Sequence, residues 1–249
     1  MDLSLSGFLA HLLPIGCVAA ASCLQALTGF GLAIVLAPFL MFFYDAKDAV
    51  SLVLLICVTG NFVQGLTHFR TAEHRLVAFL YLGVLIGLPL GTWIFFALSS
   101  DTLKFWVNAM VLASVLVTGL AHTHFHETNA NAVKTGVLSG ITSATTGMGG
   151  PPILLYLAHT KIPPERLRAS CFVFFFLCNI STLVSHAIGG MSIPAILTEY
   201  IYLLPGLALG ILLGDALFLP YLPKTWIRKF INLLLPVTSI VGMWEVLMK

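Results

Sequence analysis

The chain writes one glycine-broken pattern twice inside uncharged apolar sequence. Thr28-Gly29-Phe30-Gly31 returns as Thr146-Gly147-Met148-Gly149, an offset of 146 − 28 = 118 residues. The same offset carries Asn61 onto Asn179 and His68 onto His186. Residues 3–44 and 135–160, which hold the two turns, contain no Lys, Arg, Asp or Glu. A flexible glycine cluster and an amide are costly in such surroundings unless something uses them. Duplicated hydrophobic units interrupted by glycine are one way in which secondary transporters build a binding site near the membrane midplane.

Composition agrees with a lipid solvent. Hydrophobic residues make up 59% of the chain and charged residues 9%, and mean hydropathy is +1.00. A soluble domain carries roughly 25% charged residues, so this chain lacks the polar side chains to coat a water-facing surface. A net charge of +2, with no basic run, sets nucleic acid aside as a partner. Met1-Asp2-Leu3-Ser4 lacks the positive start of a secretory signal, so the first apolar stretch is expected to be retained. The five cysteines lie in apolar segments without Cys-x-x-Cys spacing and read as small hydrophobic residues.

Apolar runs between polar breaks give five segments per half: 7–27, 31–44, 49–69, 76–99 and 103–121, then 133–146, 150–160, 167–188, 195–220 and 226–247. The third to fifth of each half reach the ~20 residues that cross the hydrocarbon core. Residues 135–160 are too many for one crossing and too few for two, which fits a hairpin turning at Gly147–Pro152. Its counterpart turns at Gly29–Gly31. With both hairpins returning to their own side, nine of the twelve Lys+Arg share one face, leaving Lys47, Lys104 and Lys249 opposite. A broken crossing helix in place of each hairpin gives eight to four, so segment length rather than charge favours the hairpin. The positive-inside rule then puts both termini outside the cytoplasm of a plasma membrane, the inner membrane in a bacterium. The expected fold is an all-α polytopic membrane protein, one domain over 1–249. It holds two inverted repeats, about 7–121 and 133–247, each a glycine-broken helical hairpin plus three transmembrane helices.

In this plan the turns are the candidate site. Thr28, Gly29, Phe30 and Gly31, with Thr146, Gly147, Met148, Gly149 and Gly150, would expose backbone N–H groups at the starts of short second arms. Helix N-termini attract anions without any lysine or arginine. Pro151 and Pro152 suit a first helical turn, where a missing N–H costs nothing. The plain alternative is that the glycines only let helices pack closely. Asn61 and Asn179 fall about 3 Å from the centres of their crossing helices, at ~1.5 Å per residue, and an amide at that depth needs a partner. Gln25, Gln64 and Ser143 lie near these elements and are weaker candidates. His68 and His186 fall at opposite ends of their helices and read as interfacial contacts. Asp215 is the acidic residue well inside a crossing, a candidate for coupling to a proton or sodium ion, with snorkelling toward Lys224 as the alternative. His122, His124 and His126, followed by Glu127, have metal-ligand chemistry but read as a solvated linker. No catalytic set, P-loop or metal cofactor site is expected, which argues against an enzyme.

The ordered residues resemble the sulfite exporter TauE/SafE family over essentially the whole chain. The resemblance rests on Leu27-Thr28-Gly29-Phe30-Gly31 followed by Pro38, and on Ala46-Lys47-Asp48-Ala49-Val50. In the second half it rests on Ser139-Gly140, Gly147 to Pro152, Leu155-Tyr156-Leu157, Arg168-Ala169-Ser170, Phe174-Phe175-Phe176-Leu177 and Asn179. It implies transport of small sulfur-containing oxyanions such as sulfite, thiosulfate, sulfoacetate or other organosulfonates. Carried over residue by residue, it implies that the two turns and the two asparagines line the site. The first turn lacks the double glycine and proline of the second, so the halves need not contact substrate equally. Two other classes compete: a cation carrier or channel using the amide oxygens of Asn61 and Asn179, and a metal-dependent membrane enzyme using the His122–His126 linker.

Overall fold

The computed structural model describes residues 11–120, 128–157, 160, 162–215, 236, 239–240 and 242–244. Its elements are helices: α1 (Leu12–Thr28), α2 (Leu32–Leu40), α3 (Ala46–His68), α4 (His74–Ala97), α5 (Ser100–Leu120), α6 (Asn129–Thr146), α7 (Gly150–Leu157), α8 (Pro164–Ile188) and α9 (Ile193–Leu213). Among the described residues, four spans are long and apolar enough to cross a membrane: Ala46–Thr71, His74–Ala97, Pro164–Ile188 and Ile196–Leu213. The expected last crossing, most of 226–247, and the His122–His126 linker lie outside the described residues, as do Lys161, Lys224, Arg228 and Lys229.

Helix boundaries have local causes. Asp45 caps α3 by accepting from the Lys47 N–H at 3.1 Å, and Thr128 caps α6 by accepting from the Asn131 N–H at 3.2 Å. Arms α1 and α6 end alike. Gly29 (φ 83°) and Gly147 (φ 76°) are left-handed, and their N–H groups return to Gln25 O and Ser143 O. Neither turn can be made cheaply by a residue with a side chain.

At the centre α3 and α8 run antiparallel, with Phe62 against Phe176 at 5.4 Å and His68 against Phe172 at 5.6 Å between ring centroids. Around them the packing crosses between halves: α4 lies along α6, and α1 along α9. The closeness of these pairs comes from glycine ridges. Gly83, Gly87 and Gly91 press on Val133, Val137 and Ile141, while Gly206, Gly210 and Gly214 press on Ile15, Ala19 and Cys23. A Cβ at Gly87 or Gly210 would strike a backbone carbonyl of the facing helix, so nothing larger than glycine fits.

Contacts at the two ends show how the hairpins enter. Arg166 Nη1 donates to Glu73 Oε1 at 2.8 Å, the Glu73 N–H donates to Ser170 Oγ at 2.8 Å, and Tyr156 OH donates to Thr128 O at 3.4 Å. With α6 running parallel to α4, both ends of the α6–α7 hairpin therefore lie on the face that carries Arg70 and Arg166. On the opposite face His11 Nε2 donates to Glu199 Oε2 at 2.7 Å, and Tyr44 OH donates to the same oxygen at 3.0 Å. Burial, then the Glu199 carboxylate, raise the Tyr44 phenol above its ordinary value, so it stays a donor. Both ends of the α1–α2 hairpin lie there.

Candidate functional site

The long arms carry the turns further than the sequence suggests. At ~1.5 Å per residue, the 17 residues of α1 and the 18 of α6 span about 25 Å and 27 Å, most of a ~30 Å hydrocarbon core. The glycine turns thus pass the middle rather than stopping at it. Gly29 lies against Arg168, near the start of α8, and Gly147 against Val50, near the start of α3. The hairpins lie side by side, and it is the starts of their short arms that meet, with the Ile34 side chain against Gly150.

Between those short arms is a cavity. Phe30, Gly31, Leu32, Ala33 and Ile34 line it from the first hairpin, and Gly147, Gly149 and Gly150 from the second. Cys57 and Asn61 from α3, Phe175 and Asn179 from α8, and Gln25 from α1 complete the wall. Its volume, about 20 Å³ open to the centre of a water molecule, takes about one water. The wall carries amides and apolar groups, and no carboxylate or ammonium is among its residues.

Backbone donors come from α2. Its first turn has no intrahelical acceptors for Leu32, Ala33 and Ile34, and Val35 is the first residue to close a bond, onto Gly31 O at 3.0 Å. Gly31 sits at φ 102°, with open space where a Cβ would point. Helix α7 begins Gly150-Pro151-Pro152, so prolines remove two of its early donors.

The asparagines differ in restraint. Gln25 Nε2 donates to Asn61 Oδ1 at 2.6 Å and lies 3.4 Å from Gln64 Oε1. Asn61 thus turns its oxygen to Gln25, leaving its NH₂ group as the donor for the cavity. Gln25 Oε1 and Gln64 Nε2 are buried without a hydrogen-bond partner among the described residues. Around Asn179, the corresponding places hold short hydroxyls: Ser143 and Thr182 bond to each other at 3.0 Å, and Ser139 Oγ donates to Gly149 O at 2.6 Å. The Asn179 amide makes no hydrogen bond with the described residues, though Asn179 is only 4% exposed.

Of the residues singled out by sequence, the cavity gathers Gln25, Phe30, Gly31, Asn61, Gly147, Gly149, Gly150 and Asn179. Others shape it from behind. Thr28 Oγ1 donates to Leu24 O and Phe30 O, and Thr146 Oγ1 donates to Thr142 O. Gly29 and Pro151 are off the wall, and Met148 is fully buried in the cluster that also holds Leu52 and Leu54 of α3. Phe30, its counterpart, packs against the cluster that holds Phe174 and Phe175.

Asp215 also lies off the wall, and Arg168 Nη2 donates to its Oδ1 at 2.8 Å. His186 is wholly buried rather than interfacial: it stacks on Phe95 at 4.1 Å and donates Nε2–H to Ala144 O at 2.7 Å. His68 has its Nδ1 within 2.9 Å of Gln64 O and its ring against Phe172 of α8. Sequence reasoning missed Cys57 and Phe175 on the wall; they stand at equivalent places (57 + 118 = 175) but differ in type, so no repeated residue marks them. It also gave Arg168 no role at the site, only a place in the Arg168-Ala169-Ser170 motif. No group of three metal-ligating side chains occurs among the described residues.

No curated protein and no solved structure matches the chain. The family model described as Sulfite exporter TauE/SafE matches residues 13–242, which takes in both hairpins, α3, α8 and the cavity between them. The chain belongs to the sulfite exporter TauE/SafE family of membrane transporters.

Proposed function

We propose that the chain carries small sulfur-containing oxyanions (sulfite, thiosulfate or organosulfonates such as sulfoacetate) across the membrane by alternating access, holding the anion between the short arms α2 and α7. The observation that carries this reading is the cavity wall. It joins the donor-rich first turn of α2 to Asn61 and Asn179, deep in the bundle, without a carboxylate. Free N–H groups at a helix start stabilise negative charge. The Asn61 oxygen is already engaged by Gln25, so this amide serves the cavity as a donor.

Inverted repeats support the alternating part. Gly29 meets Arg168 and Gly147 meets Val50, and 147 − 29 and 168 − 50 both equal 118. The crossed pairs α4–α6 and α1–α9 repeat the same exchange. Two related packings of similar energy are what rocking between inward- and outward-open states needs. A cavity for one water must widen to hold a sulfur oxyanion, and parting α2 from α7 widens it. The expected setting is a plasma membrane with the Arg70 face cytoplasmic. Direction of transport and a coupling proton or sodium ion are matters for flux measurement.

The test is flux of labelled sulfite and sulfoacetate in proteoliposomes, with Gly31→Leu and Gly149→Leu beside the unaltered chain. Loss of flux in both variants, with folding retained, fits the reading; unaltered flux in both contradicts it.

A further inference from the structure

At the turn of the first hairpin, an arginine stem rests on the glycine backbone, and its guanidinium holds a replaceable carboxylate. A Cβ at Gly29 would lie 2.7 Å from Arg168 Cγ and 3.0 Å from its Cα, so the arginine stem lies flat on this turn. The guanidinium lies 5.4 Å from the Phe172 ring centroid, which sets its plane and shields one side. One side of the fork is used: Nη2 donates to Asp215 Oδ1 at 2.8 Å, while the buried Nε has no partner among the described residues. Asp215 is held within reach because Gly214, its neighbour, packs against Ala26 Cβ, three residues before Gly29.

The two partners of this pair are unequally placed. The Arg168 side chain is 17% exposed and that of Asp215 42%. Water can take back the carboxylate far more readily than the guanidinium. A half-solvated ion pair contributes little net stability, whereas a guanidinium with spare donors binds oxyanions in two-point fashion. The second hairpin has nothing comparable, since Val50 occupies the matching place against Gly147.

We infer that Arg168 is a receiving site for the anionic substrate at the first hairpin turn, where a sulfonate- or sulfite-like oxyanion displaces the Asp215 carboxylate before reaching the cavity. The oxyanion takes the vacated Nη2–H and the free Nε–H together, and Asp215 turns to water. Because Arg168 lies on Gly29, the exchange happens at the element that must move for α2 to part from α7. The inference rests on reading the cavity as an anion site.

The experiment is sulfite uptake into proteoliposomes across a concentration series, with sulfite-dependent rise in melting temperature as a separate readout of binding. Arg168→Gln is expected to raise KM at least tenfold, and Asp215→Asn to lower it severalfold by removing the competitor. The double variant should keep the raised KM of Arg168→Gln, and Arg168→Lys should fall between, retaining charge without the fork. Should Arg168→Gln fail to fold, Arg168→Lys and Asp215→Asn carry the test. A double variant with the unaltered chain's KM would show a purely structural pair and overturn the inference, as would an Asp215→Asn variant with unchanged KM. If the unaltered chain shows neither uptake nor a sulfite-dependent melting shift, the cavity reading falls and this inference with it. If uptake is present but the KM pattern is absent, only the Arg168 site falls.

Discussion

Gln25 and Ser143 occupy equivalent places, 118 residues apart on α1 and α6, yet they leave their neighbouring asparagines in opposite conditions. The long Gln25 amide reaches Asn61 and holds its oxygen, whereas Ser143 reaches Thr182 and leaves Asn179 unbonded among the described residues. The hairpin turns differ in the same sense. The first rests on Arg168 and the second on Val50, and the first short arm offers early N–H donors where the second begins with prolines. One backbone plan written twice thus yields a restrained, donor-rich half and a less encumbered one. Equivalent position does not imply equivalent duty.

The largest effects are expected where the halves are alike. Gly87→Leu in α4 and Gly210→Leu in α9 would each drive a side chain into a facing backbone carbonyl. Both should abolish a monodisperse folded protein in size-exclusion profiles. Even alanine there should cost about 1–3 kcal/mol by overpacking, whereas Gly16→Ala, with nothing within 4 Å, should be silent. Tolerance at one interface and not the other would break the equivalence of the crossed pairs.

Next come the short arms. Gly31→Leu and Gly149→Leu should each reduce sulfite flux by tenfold or more, for different reasons. At Gly31, on the cavity wall, a side chain would strain a left-handed backbone, while at Gly149 it meets Ser139 Oγ at 2.9 Å and Ser143 Cβ at 3.2 Å. Thermal unfolding should separate them, with the Gly149 variant losing more stability.

The asparagines sharpen the comparison further. Asn61→Ala strips Gln25 Nε2 of its near partner and should cost about 1–3 kcal/mol as well as flux. Asn179→Ala should lower flux with stability nearly unchanged, because no hydrogen bond to a described residue is lost. Equal destabilisation of the two variants would refute the difference in restraint. Smallest is Ser143→Ala, which removes the bond to Thr182 and should cost about 0.6 kcal/mol, the average for such bonds in membranes. Chemical denaturation of the detergent-solubilised protein would measure it.

The glycine turns and the asparagine pair were legible in the sequence because breakers and amides stand out against an apolar background. The crossing helices were legible too, since length alone identifies α3, α4, α8 and α9. How the parts sit together was not. Spacing cannot show that α1 and α6 overshoot the middle, because that depends on where their outer ends are pinned, for α1 by His11 on Glu199. Arg168 had no legible role at the turn because its partner there, Gly29, is more than a hundred residues away in sequence. His186 looked interfacial from its place near a helix end, but Phe95 of α4 covers it. The Gly83-Gly87-Gly91 and Gly206-Gly210-Gly214 ridges were visible as spacing, yet their partners emerge only once the halves exchange helices.

The most direct measurement is an anomalous difference map from crystals grown with selenite, a heavier analogue of sulfite. The account predicts a peak between the starts of α2 and α7, near Gly31 and within hydrogen-bonding reach of Asn61 and Asn179. Ordered selenite elsewhere in the chain, with none between those arms, would contradict it.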